Sequence, residues 1–152
     1  MHQEEALQEL REHCRGMPPV AAMGVEVDGF HDGALRLTAP LSANVNDKGN
    51  AFGGSLTSLM TVAGWGLVTA KLRLAGLKAE VYVADSQVRY LAPLYGDLVA
   101  EAAFGEGQSW DAFVDTLVQR GRARIEVAAR VLLPEGGTAT TLAGRFVAIA
   151  KR

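Results

Sequence analysis

From Asn50 to Ala70 the chain carries no charged residue, and this run opens on Phe52-Gly53-Gly54 directly after the polar loop Asn46, Asp47, Lys48, Gly49, Asn50. The length and apolar content predict a helix from about Gly53 to Leu74 that is hydrophobic on nearly every side, and such a helix must be surrounded by other elements. Lys71 and Arg73 fall in its last turns, where cations favour the helix dipole, and Gly76 is placed to end it. A membrane span of similar length is disfavoured, because Gly53, Gly54, Gly64 and Gly66, with Ser55, Thr57, Ser58, Thr61 and Thr69, dilute the hydropathy. At the other end, a helix start leaves its first amide N–H groups without intrahelical partners and carries partial positive charge. Two glycines there let a carbonyl oxygen approach the backbone, which is the chemistry of an oxyanion hole. The alternative is a tight loop-to-helix junction that only needs small residues.

The 152 residues are 49% hydrophobic and 21% charged, enough to bury the core of one domain over residues 1–152 and too few for two. A net charge of −2 with no long run of either sign gives no electrostatic footprint for nucleic acid. The single cysteine, Cys14, cannot close an internal disulfide, and Met1 to Arg15 is charged and amphipathic where a secretory signal would be apolar. The expectation is a cytoplasmic, reduced protein. His2, His13 and His31 have no metal-ligand spacing, so neither metal nor cofactor is expected. No Gly-x-Ser-x-Gly elbow or other nucleophile motif is present.

Leu7, Leu10 and Cys14 recur at helical spacing from about Gln3 to Cys14, a covering helix that Gly16, Pro18 and Pro19 end. Met23 to Ala39 reads as a strand or hairpin around Gly29 to Gly33, and Ala79–Leu91, Leu98–Phe104, Arg122–Leu133 and Thr138–Ala150 read as four strands. Ser109 caps a short helix from Trp110 to about Gln119. One buried helix followed by antiparallel strands implies an α+β fold in which a curved antiparallel sheet of about five strands wraps the helix. One such sheet covers so apolar a helix poorly, and a symmetric dimer whose sheets join or pack is the expected remedy.

The pattern Asn46-x-x-Gly49-x-x-Phe52-Gly53-Gly54, followed by Met60-Thr61-Val62-Ala63-Gly64, resembles the signature of hotdog-fold acyl-CoA thioesterases. Phe52 to Leu56, Ala63-Gly64-Trp65-Gly66 and Ser86-x-x-Arg89-Tyr90-Leu91-x-Pro93 are similar to the thioesterase domain that also forms the C-terminal half of some bacterial acetyltransferases. The resemblance implies a homodimer, or a tetramer of such pairs, with sites at the subunit interface. It also implies an acyl-CoA thioester whose carbonyl is held by the amide of Gly53 or Gly54 and by Asn46. Many hotdog thioesterases carry an activating Asp or Glu two turns into the helix, and this chain has Thr61 there. A threonine hydroxyl is not a useful base at neutral pH.

Asp47 is then the first substitute base and Asp85 the second. Asn46 and Asp47 read equally well as an Asx turn, whereas Thr61 reads first as a core hydroxyl bonded to the preceding turn and Asp85 first as a solvated or ion-paired strand residue. Strand alternation places Asp85 with Gln87 and Arg89, opposite Tyr82, Ala84, Val88 and Tyr90. Phe52, Ser55, Met60 and Arg89 complete the candidate substrate contacts. Arg89, Lys71, Arg73 and Lys78 suit coenzyme A phosphates or plain solvation, and Leu56, Leu59, Met60 and Trp65 suit an acyl tunnel or a core. A non-catalytic acyl-CoA-binding module is the rival reading. A hotdog dehydratase ranks behind both, because no histidine lies near the loop or the central helix.

Overall fold

The computed structural model describes residues 1–151. Two helices, α1 (Gln3–Arg15) and α2 (Pro18–Ala22), lead into a hairpin of β1 (Glu26–His31) and β2 (Ala34–Ala39). After a 3₁₀ turn at Leu41–Ala43 comes the long helix α3 (Gly53–Leu74), with the boundaries its uncharged run predicts. The rest is β3 (Ala79–Tyr90), β4 (Leu98–Phe104), α4 (Trp110–Arg120), β5 (Arg122–Leu132) and β6 (Thr138–Ala150). The strands form one antiparallel sheet in the order β1-β2-β4-β5-β6-β3 that wraps α3, the hotdog arrangement.

The sheet has six strands where about five were expected, because Met23 to Ala39 folds as two. Asp32 and Gly33 both take positive φ, 51° and 82°, the two-residue turn whose twist matches a hairpin, closed by the pair His31 and Ala34. Pro18 and Pro19 also do more than stop α1. They open α2, since proline's fixed φ and missing N–H suit a first helical turn.

The inner face of the sheet packs on α3 around Phe146, Leu35, Leu37, Leu67, Ile125 and Leu142, all buried. A Cβ on Gly64 would lie 2.7 Å from Cζ of Phe146, so the Ala63-Gly64 step exists to let helix and sheet approach closely. Edge strand β3 is different. Val81 is its one buried residue, while Tyr82, Val83 and Tyr90 are exposed. Its pairing with β6 slips between Val83 and Asp85, which leaves Ala84 bulged. The bulge corrects the expected face assignment. Tyr82 pairs with Val147 and Tyr90 with Thr140, an odd number of residues apart on β6, so the two tyrosines lie on opposite faces.

Candidate active site

The loop before α3 is a small closed unit. Val45 bridges Ala51, the amide of Asn46 donates to the Asn50 carbonyl at 2.8 Å, and Gly49 takes φ 84° at the tip. The Asn46 side chain is spent inside it: Oδ1 accepts from the amides of Lys48 (2.8 Å) and Asn50 (3.2 Å), and Nδ2 donates to Asn50 Oδ1 (2.9 Å). This is the Asx-turn alternative, so Asn46 shapes the loop. Asp47 stands at its surface with a side chain 81% exposed and bonded to Nζ of Lys48 at 2.8 Å. Asn44 anchors the unit from below. It is buried, its Nδ2 donates to the Met23 and Pro40 carbonyls at 2.8 Å each, and its backbone carbonyl accepts from the Phe52 amide at 2.8 Å. Nothing in the sequence distinguished Asn44 from its neighbours Asn46 and Asn50.

The start of α3 is left open. Phe52 provides no capping side chain, no acid occupies the first turn, and the first helical bond runs from the Leu56 amide to the Phe52 carbonyl at 3.0 Å. Among the described residues the amides of Gly53, Gly54 and Ser55 therefore have no hydrogen-bond acceptor. The two glycines also answer to sterics. A Cβ at Gly54 would fall 2.5 Å from Cε2 of the half-exposed Phe52 ring, and one at Gly53 would sit 3.4 Å from Cε1 of Tyr90. The junction thus keeps two aromatic rings against bare backbone, and both readings of the glycine pair describe one geometry.

Tyr90 and Thr57 were missed as site residues, and the structure joins them. Tyr90 Oη lies 2.6 Å from Thr57 Oγ1 and donates to the Gly53 carbonyl at 3.2 Å. Thr61 Oγ1 donates to the Thr57 carbonyl at 2.8 Å, the helix-internal role foreseen for it. Gly54, Thr57, Ser58, Thr61, Val62 and Trp65 recur at helical spacing and are the incompletely buried face of α3. The opening is lined by amides, hydroxyls and aromatic rings, and α3 contributes no Asp or Glu to it.

Other candidates lie elsewhere. Asp85 is on the outer face of the sheet, half-exposed and paired with Arg145, whose Nε donates at 2.8 Å. That hydrogen bond and the Arg145 charge hold the Asp85 carboxyl below the usual carboxylate range, as a surface ion pair does. Arg89 also projects from the outer face, because it neighbours the inward-facing Tyr90 on an alternating strand. Met60 is fully buried in the core with Leu56 and Leu59, so the tunnel reading of these three gives way to packing. Lys71 stacks over Trp110, and Arg73 bonds Glu9 and His13, about 30 Å along the helix from Gly53 at 1.5 Å per residue. No group of acidic, histidine or cysteine side chains suited to a metal occurs among the described residues, and no helix there is long and apolar enough to cross a membrane.

Known proteins share this architecture. A protein with unknown function from Chlorobaculum tepidum TLS superposes with a TM-score of 0.91 at 27% identity, over 98% of this chain and 97% of that one. A "putative thioesterase" from Shewanella oneidensis gives a TM-score of 0.84 at 26% identity, over 96% and 99%. A curated relative named "Putative esterase" from Halobacterium salinarum is 33% identical over 85 residues, 53% of this chain, and the match spans 56% of the relative's length. The glycine pair, the close-packed Gly64 step and the Tyr90 strand end all fall inside a family match covering residues 7–150, and the chain belongs to the family described as "Putative thioesterase (yiiD_Cterm)".

Proposed function

We propose that the chain hydrolyses an acyl thioester, with acyl-CoA as substrate, at the open start of α3. The observation that carries this reading is the set of unpartnered amides at Gly53, Gly54 and Ser55 at the head of a 22-residue helix, in a chain of a thioesterase family. Amides fixed at a helix start stabilise a developing oxyanion without reorganising, and the partial charge there adds to the effect. The Phe52 and Tyr90 rings flank the thioester, and the Tyr90–Thr57 hydroxyl pair holds a water beside it. Asp47, whose partner is the adjacent Lys48, is the loop carboxylate assigned to take the water's proton. Asn46 is a positioning residue that holds the loop in shape.

The site is completed by a second copy. Among the described residues the outer edge of the 12-residue β3 faces no other strand, and Tyr82, Val83, Tyr90, Leu91 and Tyr95 are exposed on or just beyond it. Unpaired edges of this length are templates for pairing. We assign β3 to antiparallel pairing with its own copy, which would also cover the open face of α3. The lone, buried Cys14 supports a reducing, cytoplasmic setting.

A specific observation favours a second reading, an acyl-CoA-binding module without turnover: Thr61 stands where a helix carboxylate would act. Thiol release from short, medium, long and aryl acyl-CoAs, beside a binding titration on the same compounds, separates the two. Turnover that falls in Asp47→Asn supports hydrolysis with the loop base. Turnover unchanged in Asp47→Asn removes Asp47 from the mechanism, and tight binding with no thiol release establishes the binder.

A further inference from the structure

The open face of α3 is a lane with one closed end. At about 100° per residue Gly54, Ser58, Thr61 and Trp65 line up in one stripe, and Val68, Thr69 and Leu72 continue it toward the C-terminal end. The first four are exposed or half-buried, and the last three are buried. The change falls at Trp65 because α1 packs on the far half of the helix. Leu10 lies 3.2 Å from where a Cβ on Gly66 would sit, and Glu9 lines one cavity with Thr69 and Leu72. Trp65 itself meets the ring of His13 edge to face, with centroids 5.3 Å apart and planes at 84°. Arg73 Nη2 donates to His13 Nδ1 at 3.0 Å and Arg73 Nη1 donates to Glu9, so α1 and α3 together fix the imidazole behind the indole. Along the lane the polar atoms are spent: the Thr61 hydroxyl donates to the Thr57 carbonyl, and the Thr57 hydroxyl is taken by Tyr90. A hydroxyl bonded back to its own helix leaves the threonine methyl as the surface on offer.

We propose that this lane holds the acyl chain and that Trp65, braced by His13, is its end stop, so that the substrate class is a medium-chain acyl thioester. The inference rests on the hydrolysis reading above, which puts the thioester carbonyl at the amides of Gly53, Gly54 and Ser55. From Gly54 to Trp65 the helix rises about 16 Å, at about 1.5 Å per residue. Contact with the ring at about 4 Å leaves about 12 Å for carbon. A staggered chain with bonds of about 1.5 Å advances about 1.3 Å per carbon, so the lane takes about ten carbons. Each methylene up to that length buries apolar surface and raises kcat/KM by at most about fourfold. Longer chains meet a ring backed by α1. An indole that served only to seat α1 would leave the dependence on chain length unchanged when replaced, which separates the two roles.

The test is thiol release from straight-chain acyl-CoAs, acetyl through palmitoyl, by the full chain, beside a binding titration of the same series, with circular dichroism confirming the fold of each variant. Wild-type kcat/KM is expected to peak at about ten carbons. Trp65→Ala removes the ring, and the next stripe residue, Val68, lies one turn on, so the peak is expected to move about three to four carbons longer. Acetyl- and butyryl-CoA, which do not reach the ring, should turn over within about twofold of wild type. Trp65→Phe keeps an aromatic ring against His13, guards against loss of fold and should give a smaller shift in the same direction. His13→Ala should blunt the cut-off by freeing the indole. If no compound releases thiol, the hydrolysis reading fails, and the affinity profile then tests the end stop by itself: a maximum at about ten carbons that moves in Trp65→Ala supports it. An unchanged chain-length profile in the folded Trp65 variants, a wild-type profile without a maximum, activity confined to aryl-CoAs, or no binding of any chain would each overturn the proposal.

Discussion

The two ends of α3 are finished in opposite ways. At the C-terminal end every device for closing a helix is in use. Gly76 takes φ 74°, its amide donates to the Arg73 carbonyl at 2.9 Å, and the Leu77 amide reaches back to Leu72 at 2.9 Å, a Schellman closure. Lys71 and Arg73 match the dipole and are engaged by Trp110, Glu9 and His13. At the N-terminal end there is no capping side chain, no acid in the first turn and, among the described residues, no acceptor for the first amides, and exposed rings stand beside bare backbone. One end is spent on stability. The other forgoes a cap, a feature that contributes about 1 kcal/mol where present, and keeps its donors free for a ligand.

If that contrast is functional, changes at the two ends separate activity from stability. The largest effect is expected for Gly53→Pro. Proline at the first helical position keeps the helix and deletes one amide donor, so turnover should fall about 10²–10³-fold while the melting temperature barely moves. Equal turnover would break the comparison. Next is Gly76→Ala at the opposite end, where a side chain must adopt a left-handed conformation. A loss of about 1 kcal/mol in denaturant unfolding is expected, with activity per folded chain unchanged. Tyr90→Phe then sharpens the picture at the open end. Losing the hydroxyl that joins Thr57 and the Gly53 carbonyl should lower kcat/KM roughly five- to tenfold, about 1 kcal/mol, with little change in stability.

The smallest effect is remote from both ends. Burial disfavours ionisation of Glu101, but hydrogen bonds and charge from Arg36 and then Arg130 outweigh it and hold its carboxyl below the ordinary glutamate value. A depressed folded-state pKa stabilises above the unfolded pKa and is lost as pH falls through the folded one. Glu101→Gln should therefore cost under about 1 kcal/mol at pH 7, and the difference from wild type should vanish in acid, below the ordinary glutamate range of about 4. Turnover at pH 7 should be untouched, and a change would tie the outer sheet face to the chemistry.

Much of the architecture could be read from local pattern. The bounds of α3 follow from the uncharged run and Gly76, the cap of α4 from Ser109, whose Oγ accepts from the Ala112 amide at 3.2 Å, and four strands from period-two runs between breakers. These signals lie within a few residues of what they specify, because helix and strand periodicities and caps are properties of neighbouring residues. The fold family was likewise legible in the glycine signature.

The tertiary structure decided what depends on distant partners. Tyr90 meets Thr57 across 33 positions, and Asp85 meets Arg145 across 60, so neither contact has a local signature. The bulge at Ala84 depends on how β3 registers against β6, and it reversed the face on which Tyr82 was expected relative to Tyr90. Asn44 and Asn46 are two residues apart and chemically the same, yet one is a buried anchor and the other a loop brace, because only one of them is turned toward the Met23 and Pro40 carbonyls. Side-chain chemistry is written residue by residue, but burial, pairing and facing are set when separate segments are brought into contact.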